Sequence, residues 1–321
     1  MGGPVNTRTS RARPRGFSLV ELMVGMTLGL IAAAAAGAAF LAAHAAYLAA
    51  TDRVLIEERG QRALAIVAAL LRQSGWPGEP SPGSNGAGLP VVSGADNCGQ
   101  PAMAAVPACA KAAVGQSDAL LLRFSGSGLP SAPAQPDDTM TDCSGYPVAA
   151  RLAGVAGAAG AAGAEPTAGH VAENLLYVAA GADGVPQLLC RYPSRRNGLI
   201  DGSGWTSGAL VRGVESLQVR YGLDLDQDGW PERFEPASAI PALGVDAWQR
   251  VVAVQVAIAV RGDRPGSATP VRGSGADPLA PAGTAAGDLP PAAAAQSGTA
   301  RRVFAATVRL RNAPRCEETL C

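Results

Sequence analysis

The sequence predicts an α+β fold: a long N-terminal helix, membrane-spanning in its first half, packed on a mainly antiparallel β-sheet with long loops. Three observations carry this. From Leu22 to Thr51 there are 30 residues without Asp, Glu, Lys or Arg. Beyond Thr51 the pattern turns amphipathic, with Ala63, Ile66, Val67, Leu70 and Leu71 on one helical stripe. After Trp76 come short apolar runs bounded by turn residues, several alternating with period two, and no helical crossovers separate them.

The N-terminal segment, residues 1–16, is basic: Arg8, Arg11, Arg13 and Arg15 are present and no acid is. As a helix, the uncharged run that follows would be about 45 Å long, more than the ~30 Å of bilayer hydrocarbon. The arginines should hold the N-terminus in the cytoplasm, with the membrane span at about 22–43 and the rest outside. A cleaved secretory signal has an apolar core of only about 7–15 residues, and this run is far longer. Glu21 also fits that reading badly, because a charge at the bilayer centre costs about 2.5–3.5 kcal/mol and is usually functional. Gly25 and Gly29 form G-x-x-x-G, which permits close helix approach. The helix, expected over 17–75, stops at "LLRQSGWPG" with Gly75 and Pro77.

The β-rich domain is expected over 76–321. Apolar runs at 118–124, 174–180 and 186–192 read as strands, the last two joined across Gly181–Gly184 as a hairpin. The stretch 209–223 alternates through Val214, Leu217, Val219 and Tyr221. Residues 248–262 alternate through Val252, Val254, Val256, Ile258 and Val260, and 301–312 supply a last strand. Residues 153–169 and 265–298 are Ala/Gly/Pro-rich without periodicity and read as low-complexity loops.

The chain has 321 residues and no formal net charge, which gives no reason to expect nucleic-acid binding. Hydrophobic residues make up 48% but aromatics only 4%; much of the apolar content is alanine, so the core is smaller than that share suggests. Six cysteines without a CxxC pair, beside only two histidines, argue for disulfides in an oxidising compartment rather than for zinc. Pairing of neighbours gives Cys98–Cys109, Cys143–Cys190 and Cys316–Cys321, one of about 15 arrangements open to six cysteines.

The stretch Gly16-Phe17-Ser18-Leu19-Val20-Glu21 resembles the processing site of type IV prepilins, with a basic leader ending in Gly, then an aromatic, then Glu. The resemblance implies cleavage of the leader between Gly16 and Phe17 by a prepilin peptidase, N-methylation of Phe17, and a pilin-like fold. It also implies that Glu21 pairs with the N-terminal ammonium of an adjacent subunit, since a paired buried charge is tolerable and an unpaired one is not. The alternative for an isolated subunit is a carboxylate reaching the headgroups.

"DLDQDGWPERFE", residues 224–235, satisfies the D-x-D-x-D-G-x5-E spacing of a calcium loop. Asp224, Asp226, Asp228, Glu232 and Glu235 would supply carboxylates and Trp230 its carbonyl, toward the six to eight oxygens that Ca²⁺ takes. The strand-like lead-in, Pro231 and Pro236 speak against a helix–loop–helix, and a solvated acidic hairpin turn is the competing reading. His44 in the apolar helix and His170 in a low-complexity loop suggest no catalytic constellation, so a non-enzyme is expected.

Further stretches, "LLRQSGWPG" (70–78), "SDALLLRF" (117–124), "VESLQVRYGLDLDQDGW" (214–230) and "VVAVQVAIAVRG" (251–262), resemble PilW-type minor pilins. That family implies priming of filament assembly and a place at or near the pilus tip, among other minor and major pilins. It implies support of adhesion and twitching motility. It also implies a single-pass inner-membrane subunit with a periplasmic C-terminal domain that later enters the surface pilus. The alternatives are a minor pseudopilin of type II secretion and a membrane-anchored or secreted calcium-dependent binding protein.

Overall fold

A computed structural model describes residues 16–76, 89–113, 116–132, 135–150, 172–196, 199–244, 246–264 and 299–312. The basic leader residues 1–15, both low-complexity loops, His170, Cys316 and Cys321 lie outside them. The chain divides into two units, Met1–Thr51 and Asp52–Cys321, and one helix, α1 (Leu19–Gln73), runs through the division.

Within the first unit α1 is exposed along its whole apolar length; Leu22, Met26, Leu30, Ile31, Phe40 and Leu41 all face outward. Within the second unit it buries Asp52, Ile56, Gly60, Ala63, Val67, Leu70 and Leu71, a stripe of three- and four-residue steps. Ile66 lies half-buried beside it. Gly60 is required by packing: the Phe304 ring occupies the space a Cβ would need. The helix ends as Gly75 turns to φ +82°, its N–H bonding to the Arg123 carbonyl (2.9 Å).

Two antiparallel sheets and a small ribbon follow, rather than a single sheet. The first sheet takes β1 (Val92–Ala95), β4 (Ala119–Phe124), β5 (Ala172–Ala180), β6 (Pro186–Arg196) and β7 (Leu199–Arg212) in that spatial order. The second runs β11 (Arg301–Arg309), β10 (Val251–Arg261), β8 (Val214–Leu223) and β9 (Arg233–Glu235). The ribbon pairs β2 (Gly99–Ala102) with β3 (Ala108–Lys111). The alternating stretch 209–223 is therefore two strands of different sheets, broken at Gly213 (φ +83°), where the chain turns out of one sheet into the other.

β4 is buried on both faces. Leu120, Leu122 and Phe124 enter the main core with Ile56, Val67, Leu71, Leu176, Leu217, Val254 and Val256. Ala119 and Leu121 enter a second cluster with Cys98, Leu175 and Tyr177. The sheets are joined where Ser117 and Asp118 add to the free side of β8. Asp118 N–H donates to the Leu217 carbonyl (2.8 Å), Leu217 N–H to Ser117 Oγ (3.0 Å) and Val219 N–H to Asp118 Oδ2 (2.9 Å). Beside this joint the Tyr221 ring meets Trp248 edge-on at 4.9 Å.

Arg123 on β4 is the largest fully buried side chain among the described residues. Its Nε donates to Glu173 (2.6 Å), and its Nη atoms donate to the carbonyls of Pro90 (2.8 Å), Ala104 (2.7 Å) and Ala105 (3.1 Å). One guanidinium thus ties the segment around β2 to the sheet. Disulfides join Cys98 to Cys109 within that segment and Cys143 to Cys190, fastening the loop before Ala150 onto β6.

Candidate functional site

The N-terminal site begins with Phe17, 89% exposed, followed by a reciprocal capping box. Ser18 N–H donates to Glu21 Oε2 (2.9 Å), and Glu21 N–H donates to Ser18 Oγ (3.2 Å). The carboxylate also sits at the positive end of the helix dipole. In the single chain, therefore, Glu21 is compensated by its own helix N-terminus, and Oε1 is left for another donor. Ser18 had no assigned role in the sequence reading, although Ser-x-x-Glu before an apolar run is itself a legible capping signal.

The acidic site is the β8–β9 hairpin connection, held at its base by Asp224 N–H to the Arg250 carbonyl (2.9 Å) and Glu232 N–H to the Leu223 carbonyl (3.1 Å). Asp224 is nearly buried and accepts from Gln227 N–H (2.6 Å) and Gly229 N–H (2.8 Å). Asp228 accepts from Trp230 N–H (2.7 Å), and Glu232 Oε2 from Leu225 N–H (2.5 Å). The tight path uses Gln227 at φ +67° and Gly229 at φ +85°. Carboxylate oxygens of Asp224, Asp226, Asp228 and Glu232 all lie within 4.8 Å of one another, so these four could hold a metal ion.

Glu235 does not join that cluster. The chain re-enters a strand at Arg233, which sets Glu235 opposite Tyr221 on β8 and 3.5 Å from Arg233 Nε. A strand, β9, follows and then only a short 3₁₀ helix (Ala237–Leu243), so the segment is an acid-lined hairpin turn rather than a helix–loop–helix. Trp230 projects into solvent (61% exposed) beneath the Arg309 guanidinium, which lies 4.1 Å from its ring centre and donates to the Gly229 carbonyl (2.7 Å). Arg309 had no local signal in the sequence, being 80 residues from Gly229.

Two buried groups away from these sites have displaced pKa values. Burial raises the Asp118 carboxyl to about 7, against the lowering effect of the Asn97 and Val219 N–H bonds. Burial and the charges of Asp118 and Asp96 push the Tyr221 phenol well up. Both belong to the joint between the sheets. His44 lies in the exposed half of α1, stacked on Phe40 at 6.2 Å.

A helix that is long and apolar enough to cross a membrane, exposed along that length and begun by a capped glutamate, carries a β-rich unit: the features of a membrane-anchored, pilin-like subunit. Comparison with family models bears on both ends. Residues 11–37 match the prokaryotic N-terminal methylation motif, and residues 175–312 match the type IV pilus-assembly protein W family. The two matches together support a type IV pilin of the PilW type. The motif and the apolar helix fit an inner-membrane-anchored pilin, and the family is one of structural proteins. Among solved structures, the chain is similar to the type IV-like pilin TTHA1219 from Thermus thermophilus, with 14% identity over 62% of this chain and 81% of that one and a TM-score of 0.22. No curated protein sequence matches.

Proposed function

We propose that this chain is a low-copy subunit that primes type IV pilus assembly and sits at or near the tip, supporting adhesion and twitching motility. A prepilin peptidase cuts between Gly16 and Phe17, and Phe17 is then N-methylated, which keeps its positive charge. The subunit waits as a single-pass inner-membrane protein, spanning at about 22–43, with residues 76–321 on the periplasmic side, and then leaves with the filament.

The observation that carries this reading is the bare apolar half of α1. A stripe of exposed Leu, Met, Ile and Phe on all sides must be covered, first by lipid and then by the helices of other pilins. Glu21 fits both stages. Its Oε2 stays on the Ser18 N–H, and Oε1 accepts the Phe17 ammonium of the neighbouring subunit. Replacing Glu21 by Ala should leave peptidase processing intact and reduce recovery of the protein in sheared pili; full recovery of the variant would remove the pairing role. Deletion separates this function from that of a secretion pseudopilin, because it should abolish piliation and leave type II secretion intact.

The acidic turn is proposed to take Ca²⁺. Four carboxylates supply at least four of the oxygens the ion requires, with carbonyls and water completing the set. The fixed N–H bonds to Asp224, Asp228 and Glu232 hold the loop in its gathered form before the ion arrives.

A further inference from the structure

A groove of about 480 Å³ lies between the last turn of α1 and the end of β11. It is lined by Arg72 and by five consecutive residues, Thr307, Val308, Arg309, Leu310 and Arg311. Consecutive residues of an extended chain point to opposite faces, so a groove touching all five runs along the edge of the strand, where its backbone is presented. β11 is the outermost strand of its sheet, paired to β10 alone among the described residues. Leu310 N–H bonds inward to the Val252 carbonyl (2.9 Å). By the alternation of an antiparallel ladder, the N–H and C=O groups of Thr307 and Arg309 are then directed outward, into the groove.

The charge of the groove is one-sided. Arg72 and Arg311 are exposed and form no ion pair among the described residues. Arg309 is held in place by the Trp230 ring and the Gly229 carbonyl rather than by a carboxylate. The carbonyls of Arg72 and Ser74, which would repel an anion at this helix end, accept from Asn312 Nδ2 at 3.5 and 3.2 Å. Three guanidiniums thus stand beside an open strand edge. Arg309 ends the strand and Arg311 lies in the turn just beyond it, and both line the groove.

We propose that this groove receives an extended acidic segment of a neighbouring subunit as an added strand on β11. Main-chain bonds to Thr307 and Arg309 would supply the affinity, and carboxylates at alternate positions would select for Arg72, Arg309 and Arg311. The neighbouring subunit as the source rests on the pilus reading above; the chemistry of the groove does not.

The test uses the full chain in detergent and a fluorescein-labelled nonapeptide of alternating threonine and glutamate, followed by anisotropy. Saturable binding is expected, weakening as salt rises. It should fall by about tenfold or more in the Arg72→Gln/Arg311→Gln variant, whose exposed positions leave the fold intact by circular dichroism. It should vanish for the same peptide N-methylated at every amide, which keeps its charge but cannot donate to a strand. Equal binding of the methylated peptide, unchanged affinity in the double variant, or no saturable binding would each overturn the proposal. So would binding that emerges only after residues 313–321 are removed, because the chain's own C-terminal residues would then be the occupant. Failure of peptide binding leaves filament incorporation of the protein untouched, so the two readings fail separately.

Discussion

Replacing Arg123 by Met should destabilise the β-rich unit more than any single surface change. Arg123 and Glu173 are in contact at 2.6 Å, with side chains only 2% and 10% exposed. Methionine fills the aliphatic volume of arginine but leaves the Glu173 carboxylate buried without its cation. It also removes the donors to Pro90, Ala104 and Ala105. Breaking one side of a buried pair typically costs about 3–5 kcal/mol. For a unit of this size that corresponds to a fall in Tm of roughly 10 °C. Replacing both residues, Arg123→Met with Glu173→Leu, should recover much of the loss, because an apolar pair of similar volume is often neutral relative to a buried ion pair. The assay is thermal unfolding of the full chain in detergent followed by near-ultraviolet circular dichroism, completed as a double-mutant cycle. An Arg123→Met variant within about 1 kcal/mol of the parent, or a double variant no better than the single one, would refute the clamp.

The Asp118 joint should make stability depend on pH. Its carboxyl titrates near 7 in the fold against 3.8 otherwise, so the folded chain binds the extra proton. That contribution is complete below about pH 4, is lost as pH rises to about 7, and amounts to on the order of 4 kcal/mol as an upper bound. Asp118→Asn should therefore flatten the pH profile of unfolding: less stable than the parent at pH 5, with the gap closing by pH 8; a constant gap would count against the assignment. Gly60→Ala places a methyl where the Phe304 ring sits and should cost about 1–3 kcal/mol despite alanine's better helix propensity; an unchanged Tm would show that the ring has another place to go. Calorimetry of the full chain in detergent should give a saturable heat with Ca²⁺ that is lost in Asp224→Ala/Asp228→Ala and retained in Glu235→Gln. No heat in the parent chain would leave a plain acidic turn.

Helical periodicity and alternation are local signals, and they made α1, β4, β5, β6, β10 and β11 legible from residue spacing. The same signals misled at Gly213, because alternation continued across a residue whose positive φ redirects the chain. The four-residue strands β1, β2 and β3 carry glycine, proline and cysteine in place of an apolar pattern, and they form through pairing with β4 and with each other. The ion pair of Arg123, inside the apolar run 118–124, has no local signal, since Glu173 lies 50 residues away. The acidic spacing pointed to the loop in which Asp224, Asp226, Asp228 and Glu232 gather. It assigned Glu235 as a ligand because a loop motif presumes a helix after it, whereas pairing with Tyr221 begins a strand there. Both arginine contacts of the loop region, Arg309 with Gly229 and with Trp230, arise from the sheet bringing β11 near the β8–β9 turn.

The most direct test of the assembly account is the N-terminal residue and intact mass of this protein recovered from sheared surface filaments. The account predicts a chain beginning at N-methylated Phe17, with residues 1–16 removed. An intact Met1, or a new N-terminus inside the alanine-rich run 32–50, would contradict it and favour an anchored or secreted binding protein.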